Sequence, residues 1–317
     1  ISELTAVINK HNLLNYDLSK PIISDYDYDM LLEELIKLEI EFPEFKLPDS
    51  PSQRVGGSVS KSFEQHNHKN LMLSLGNTYS QEELKEFDLR VKKFANIDAV
   101  EYVCELKYDG VAISLLYEHG VLVKAITRGD GVRGDVVTEN IKTIRSIPLR
   151  IKSEQLADEL EFRGEILFPK DDFLKLNASR EEIGELPFAN PRNAASGTIK
   201  MLDSSIVAKR PLDCFIYFLL TENQLFENHY QNLEYAKKLG FNIPNTMARY
   251  SSMEGVFSFI QEWEKSKDSL NFEIDGVVIK VNDFGLQKKL GFTAKSPRWA
   301  ISYKFKTERA STRLDSI

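Results

Sequence analysis

With 317 residues, 42% apolar content and a formal net charge of −7, the chain is long enough to bury a sizeable core and suits two domains of unequal size. This balance excludes a disordered or fibrous protein and argues against one that coats nucleic acid through general positive charge. No run approaches the ~20 apolar residues of a membrane span, and Ile1-Ser2-Glu3-Leu4 lacks the basic start of a secretory signal, so a cytoplasmic location is expected.

Leu4, Val7, Ile8 and then Leu13 or Leu14 recur at helical spacing, and a loop follows at Ser19-Lys20-Pro21. A second helix is predicted from Asp25 to Ile40, with Ser24 as N-cap, acids in the first turn and Pro43 ending it. The Pro-, Gly- and Ser-rich stretch from Pro48 to Gly57 reads as a linker, which places a domain boundary near residue 62 and domains at 1–62 and 63–317. Ser80-Gln81-Glu82-Glu83 is a capping box that opens a helix to Ala95. Strands are predicted over Tyr102–Arg128, Glu161–Phe168, Leu212–Leu220 and Glu273–Val281, and helices near 171–177, 192–201, 230–239 and 253–266. Gly240 reads as a helix C-cap, and Ser251-Ser252-Met253-Glu254 as a further N-terminal cap. The irregular alternation with hairpins predicts an α+β fold with antiparallel sheets, not a doubly wound parallel one.

Cys104 and Cys214 lie in apolar strand-like segments far apart in sequence, so they are expected to be reduced core residues and not zinc ligands. His66 and His68, at i, i+2, are read as loop residues, and no metal is assigned to them. From Leu286 to Arg313 the basic residues Lys288, Lys289, Lys295, Arg298, Lys304, Lys306, Arg309 and Arg313 face Glu308 as the only acid. That stretch reads either as a phosphate-facing surface or as a solvated charged face.

The most informative segment is Cys104-Glu105-Leu106-Lys107-Tyr108-Asp109-Gly110. Tyr102 to Tyr117 reads as one strand that returns through Glu118-His119-Gly120 into Val121–Thr127, and a lysine flanked by carboxylates sits where a core would want none. A buried lysine loses its charge more readily and becomes a usable nucleophile. A strand-edge lysine paired with Glu105 or Asp109 is the alternative. The pattern is echoed in Glu273-Ile274-Asp275-Gly276-Val277-Val278-Ile279-Lys280, and the two lysine-bearing strands are expected to form opposite walls of one polar cleft. In Glu161-Phe162-Arg163-Gly164-Glu165 charges again interrupt an apolar run.

Asp25, Tyr28 and Asp29 stand at i, i+3, i+4, which puts two carboxylates and a phenol on one helix face. A planar aromatic cation favours an aromatic ring with carboxylates nearby, so this face suits such a ligand. Acids that merely satisfy the helix dipole are the other reading, though it leaves the tyrosine unexplained.

Taken in order, Ser24 to Asp29, Met72 to Leu75, Cys104 to Gly110, Thr127 to Gly131, Arg163 to Glu165, Phe188 to Gly197, Ile274 to Asn282 and Ser296 to Phe305 resemble the bacterial NAD-dependent DNA ligases over essentially the whole chain. The resemblance implies a small helical domain that recognises the nicotinamide mononucleotide (NMN) half of NAD, followed by a nucleotidyltransferase domain of the ATP-grasp-like, DNA ligase and mRNA capping type. It implies that Lys107 attacks NAD to form lysyl-AMP and release NMN, with Mg2+ assisting at the phosphate. Asp109 is implied to orient the amine or the metal's waters, on a strand face it shares with Lys107 and Glu105. Glu105 is assigned to the adenine amino group, Ser74 and Leu75 to the adenine pocket, and Arg128 to nucleotide contact.

Glu165 is assigned to the ribose hydroxyls, with an ion pair to Arg163 as the alternative. Lys280 and Lys304 are assigned to lowering the Lys107 pKa and to the AMP phosphate. Tyr16 would join Asp25, Tyr28 and Asp29 at the nicotinamide, and Arg192 and Lys200 would contact nicked DNA. Trp299 is read as core.

The chain departs from the family pattern in several places. Asn15 stands where an aromatic is usual, Asp135-Val136 where Glu-Asp is usual, Lys200 for an arginine, and Leu71 and Lys306 for prolines. Lys200 bears most on DNA binding, since lysine cannot grip a phosphate bidentately. The chain is expected to act as a monomeric fragment, without the family's zinc, that adenylates itself and seals nicks weakly or not at all. An ATP-dependent nucleotidyltransferase and a non-catalytic nucleotide- or DNA-binding module are the competing readings.

Overall fold

In the computed structural model the described residues are 1–12, 23, 25–55, 62–151 and 157–305. Helices α1 (Ser2–Asn12) and α2 (Asp25–Glu41) lead through short 3-10 turns to β1 (Gln65–Asn67), β2 (Gly76–Thr78) and α3 (Gln81–Ala95). Strands β3 (Tyr102–Tyr108), β4 (Val111–Glu118), β5 (Val121–Thr127) and β6 (Arg133–Asp135) precede α4 (Thr138–Ile141), β7 (Glu159–Leu167), α5 (Lys170–Glu182), α6 (Pro191–Ile199) and α7 (Ser204–Ala208). The chain continues through β8 (Asp213–Thr221), α8 (His229–Lys238), β9 (Ala248–Tyr250), α9 (Met253–Ser266), β10 (Ile274–Val281), α10 (Phe284–Leu290) and β11 (Ala300–Lys304).

These elements gather into two compact units: Ile1–Asn70, Gly110–Gln224 and Leu233–Ile243 in the first, and Leu71–Asp109, Leu225–Asn232 and Pro244–Ile317 in the second. The single strand predicted over 102–117 is therefore two. β3 belongs to the second unit's sheet and β4 to the first's. The break falls at Gly110, where a Cβ would overlap the carbonyl oxygen of Ile166, so only glycine fits.

The first unit is built on the antiparallel sheet β5-β4-β7-β8. The predicted β4–β5 hairpin turns on His119 (φ 48°) and Gly120 (φ 78°), the two positive-φ residues that a tight hairpin of native twist demands. Ile113, Leu115, Tyr117 and Phe162 are buried on one face of this sheet. Phe162 stacks on Phe241 with ring centroids 3.9 Å apart, and Tyr117 meets both rings edge-on at 5.4 and 5.6 Å. The Tyr117 hydroxyl donates to the Pro148 carbonyl at 2.6 Å, so the ring's polar tip is satisfied within the core.

The opposite face carries Glu161, whose buried carboxylate accepts from Ser114 Oγ (2.9 Å) and Arg163 Nε (2.8 Å). A two-stranded sheet, β1-β6, completes the strands of this unit. Its neighbour His68 is buried, 3.2 Å from the Arg128 carbonyl, and is not the solvated loop residue expected. In the amino-terminal segment the buried Glu39 accepts from the hydroxyls of Ser50 and Ser52, and Asp49 pairs with Arg150.

The second unit holds the sheet β2-β11-β10-β3-β9, antiparallel apart from the β11–β2 pair. Tyr102, Cys104, Leu106, Val277 and Ile279 alternate along β3 and β10 as a buried apolar row. It packs with Leu84, Phe87 and Val91 of α3 and Val256, Phe259 and Ile260 of α9, and the Tyr102 hydroxyl donates to buried Asp88 at 2.8 Å. Trp299 is buried, as expected.

The predicted caps of α3 and α9 are present, while the Ser24 cap lies outside the described residues. Ser80 Oγ accepts from Glu83 N while Glu83 accepts from Tyr79 N, and Ser252 Oγ caps α9 through Gly255 N. The fold is thus α+β with antiparallel sheets and a helical amino-terminal segment, and no helix among the described residues is long and apolar enough to cross a membrane.

The ring cluster and the caps make unequal contributions. Phe162→Ala is expected to lose about 3–5 kcal/mol of stability through the cavity it leaves, against about 1 kcal/mol for Ser80→Ala, both read by urea denaturation.

Candidate active site

Strand alternation sets Glu105 and Lys107 on the face of β3 opposite the apolar row. On β10 the residues paired with them are Val278 and Gly276, and on β11 Lys304 lies across from Gly276. A Cβ at Gly276 would overlap the Tyr303 carbonyl oxygen, so the space between Lys107 and Lys304 holds no side chain of its own. Simple alternation would send Asp275 to the apolar side with Val277. A β-bulge prevents this: Ile274 pairs with Tyr108 and Gly276 with Lys107, leaving Asp275 as the extra residue, re-aimed toward the lysines.

The result is two separate charge clusters on one sheet. Lys107 Nζ lies 2.8 Å from Asp275 Oδ1 and donates to Oδ2 at 3.1 Å, and Lys304 Nζ is 3.1 Å from the same Oδ2. Lys107 and Asp275 keep side-chain exposures of 23% and 31%, so this cluster is open to a ligand.

The second cluster is closed. Glu105 Oε1 accepts from His229 Nε2 at 2.8 Å and lies 2.8 Å from Lys280 Nζ, and Oε2 accepts from Lys280 at 3.0 Å. His229 is fully buried and Lys280 nearly so. Burial alone would raise the Glu105 carboxyl's pKa, but the Lys280 charge and His229 outweigh it and hold the group below its ordinary value. Burial lowers His229, with the Lys280 charge adding to it, and burial lowers Lys280 against the opposing pull of Glu105.

The expected sites fall differently on this frame. The carboxylate holding Lys107 is Asp275, while Glu105 is taken up by Lys280 and His229. Lys304 sits beside Lys107 as expected, but the Lys280 amine turns to Glu105. Asp109 follows the last residue of β3, and its N–H donates to the Glu273 carbonyl at 2.9 Å, one step beyond the Tyr108–Ile274 pair. Strands β3 and β10, expected as opposite walls of a cleft, are hydrogen-bonded neighbours in one sheet. Ser74 is exposed and Leu75 half-buried in the extended segment before β2.

In the first unit, Glu165 is half-buried on β7 and Arg128 is exposed just past β5. The partner of Arg163 Nε is Glu161 at 2.8 Å. A second bulge, where Arg163 pairs with Phe218 and Gly164 with Ile216, makes Tyr217 the extra residue of β8. Lost hydration and then the Glu165 charge push its phenol up, with Arg163 and Arg128 opposing. Tyr217, Glu165 and Arg128 therefore share one electrostatic neighbourhood, although no sequence pattern distinguishes Tyr217.

Arg192 is exposed near the start of α6, whose N-cap Asn190 accepts from Asn193 N at 2.8 Å. Lys200, just past α6, pairs with Asp135 at 2.9 Å. Tyr28 is half-buried on α2. Tyr16, Ser24, Lys306, Arg309 and Arg313 lie outside the described residues, as do the side chains of Asp25 and Asp29. The basic stretch after Leu286 is partly engaged internally: Lys289 donates to the Ala95 carbonyl at 2.6 Å, and the Arg298 guanidinium lies over the Phe94 ring at 5.4 Å.

Lys107 and Lys304 thus share one carboxylate on a sheet face that also carries the buried Glu105–Lys280–His229 cluster. Residues 60–308 match the family model of the NAD-dependent DNA ligase adenylation domain, and residues 1–56 that of the DNA ligase-like, N-terminal NAD+-binding domain. The chain belongs to the NAD-dependent DNA ligase family. Among curated relatives, proteins named DNA ligase from Cytophaga hutchinsonii, Parabacteroides distasonis and Christiangramia forsetii are 53%, 51% and 50% identical over 100% of this chain, covering 47%, 48% and 47% of their own lengths. The chain spans about half the length of the curated relatives it matches.

Cys104 and Cys214 are buried, and burial pushes both thiols up, with Glu105 adding to the effect at Cys104 and Asp213 at Cys214. Neither is expected to react with a colorimetric disulfide reagent in the folded protein, and both should react after unfolding in urea.

The closed cluster also sets an acid limit. Glu105 and His229 have folded pKa values below their ordinary 4.5 and 6.5, so the unfolded chain binds protons more readily. Stability present above those values is lost as pH falls through the lowered ones. His229→Gln should remove the His229 contribution and leave that of His68, also lowered by burial, as read from urea midpoints over a pH series.

Proposed function

We propose that this chain transfers an adenylyl group from NAD to its own Lys107, the first step of sealing nicked duplex DNA. The observation that carries the reading is the pairing of Lys107 and Lys304 with the single carboxylate of Asp275 on an open sheet face. Lys107 Nζ attacks the adenylyl phosphorus, a nitrogen–phosphorus bond forms, and the bond to the bridging oxygen breaks so that NMN leaves. Asp275, within hydrogen-bond reach of the amine, is placed to take its proton. Lys304 supplies positive charge where the phosphate's charge develops.

A Mg2+ ion is commonly held by one or two carboxylates together with substrate phosphates. Asp275 and Asp109 would be its protein partners, and the ion would polarise the phosphate.

Further roles belong to the same proposal. Glu105 serves the adenine end of the nucleotide with Ser74 and Leu75, and Lys280, expected at the phosphate, acts there through its pairing with Glu105. Glu165 serves the ribose, and Arg128 the nucleotide generally. Asp25, Tyr28, Asp29 and Tyr16 serve the nicotinamide, with a domain boundary near residue 62, which the break between the two family matches at residues 56 and 60 supports. Arg192 and Lys200 contact the phosphates of nicked DNA, for which Lys200 must leave Asp135. We place the protein in the cytoplasm as a monomer.

Incubation with NAD, followed by whole-protein mass spectrometry, is expected to show the gain of one adenylyl group, with none from ATP. Lys107→Ala should gain nothing, and Asp275→Asn should slow single-turnover adenylation by about 10²–10⁴-fold, the usual range for a lost acid–base group. A gain in mass by Lys107→Ala would overturn the assignment.

A further inference from the structure

We propose that His229 is a positioning residue for nucleotide binding: its imidazole fixes the Glu105 carboxylate on the side of Lys280 and away from Lys107. The inference rests on the adenylation reading above and adds to it a residue that no motif in the sequence marks.

Glu105 and Lys107 stand two residues apart on one strand face, so the acid has two cations within its rotameric reach, Lys107 on its own strand and Lys280 on the next. In the structure it turns wholly to Lys280. An ammonium alone does not decide this, since Lys107 offers one too. The distinguishing group is His229, whose Nε2 lies 2.8 Å from Glu105 Oε1 and 3.2 Å from Lys280 Nζ. With Glu105 ionised, Nε2 carries the proton and donates it, so the carboxylate is fixed by a neutral donor and a cation together.

The ring is itself held in place. His229 N donates to the Asn282 carbonyl at 2.8 Å, Tyr230 N donates to Asn282 Oδ1 at 2.9 Å, and Phe284 N donates to the Glu227 carbonyl at 3.0 Å. The histidine is thereby tied to the segment directly following Lys280, and the Phe284 ring stands edge-on to it at 6.3 Å. A histidine needed only to fill space would not require a 2.8 Å donor contact to a buried carboxylate. Freed from His229, Glu105 could swing to Lys107, leaving the nucleotide without its partner and Lys107 with a second carboxylate.

The test uses single-turnover adenylation of the whole chain, read by mass spectrometry over a range of NAD concentrations. His229→Phe keeps the ring and removes the donor. It is expected to raise the half-saturating NAD concentration by about tenfold, the value of a 1.4 kcal/mol interaction. His229→Gln places an amide N–H near the same point and should restore it to within about threefold, whereas a purely structural role predicts that Phe does better than Gln.

Equal half-saturation for His229→Phe and wild type, or a failure of Gln to restore it, overturns the inference while leaving the adenylation reading intact. Absence of AMP transfer in the wild type overturns both. A second measurement stands apart from the variants: imidazole nitrogen chemical shifts of the wild type should report the Nε2–H tautomer at His229. Finding the Nδ1–H form there refutes the proposal even if His229→Phe does not fold.

Discussion

The structure depends on sorting charges of opposite sign on one small area of sheet. Lys107, Lys280 and Lys304 project from the same side of β3, β10 and β11, where the carboxylates of Glu105 and Asp275 meet them. Coulomb attraction at about 3 Å separation does not discriminate among cations, so geometry must. Burial closes the Glu105–Lys280 pair off from water with His229, and the partly exposed Asp275 is left to span Lys107 and Lys304. A buried pair of this kind is poor evidence for stability, since taking both charges out of water costs about what their attraction returns. Its value lies in fixing where each carboxylate points.

Backbone irregularity does the remaining sorting. Asp275 and Tyr217 are each the extra residue of a β-bulge, in the second and first unit respectively, and each is thereby turned from where strict alternation would send it. At Asp275 the neighbouring glycine is part of the device, because any Cβ at 276 would strike the Tyr303 carbonyl oxygen and push β10 from β11. The acid-glycine pair in the sequence is thus a single structural feature: the acid reaches the lysines, and the glycine lets the strands close behind it.

This explains which parts of the site could be read from the chain alone. Periodic signals were faithful: the capped helices α3 and α9 start where Ser80 and Ser252 placed them, and the Lys107 strand has a buried row on one face and charges on the other. The lysines of the site were visible because a cation in an apolar run is conspicuous. Adjacency in sequence points to Glu105 and Asp109 as the carboxylates near Lys107, whereas pairing across β3 and β10 brings up Asp275, which no spacing in the sequence ties to that lysine. A bulge cannot be seen in a period-2 pattern, since it is the local failure of that pattern. His229 was hidden for another reason. It opens α8, far in sequence from Glu105, and a lone histidine at a helix start carries no spacing that points to a strand 124 positions away.

The Lys-x-Asp-Gly run itself acquires a local physical cause. Lys107 occupies the last outward position of β3, where the strand still fixes its direction through pairing with Gly276. Tyr108 closes the strand opposite Ile274, and the Asp109 N–H adds one further hydrogen bond, to the Glu273 carbonyl. Gly110 begins the first unit's contribution at a point where no side chain fits beside the Ile166 carbonyl. Lengthening the run by one residue would invert the pleat against this exit, and replacing the glycine would force the following strand away from β7. The spacing between nucleophile and glycine is therefore set by where one sheet ends and the next begins, and the chemistry of Lys107 is placed at that end because a strand terminus combines a fixed side-chain direction with access from solvent.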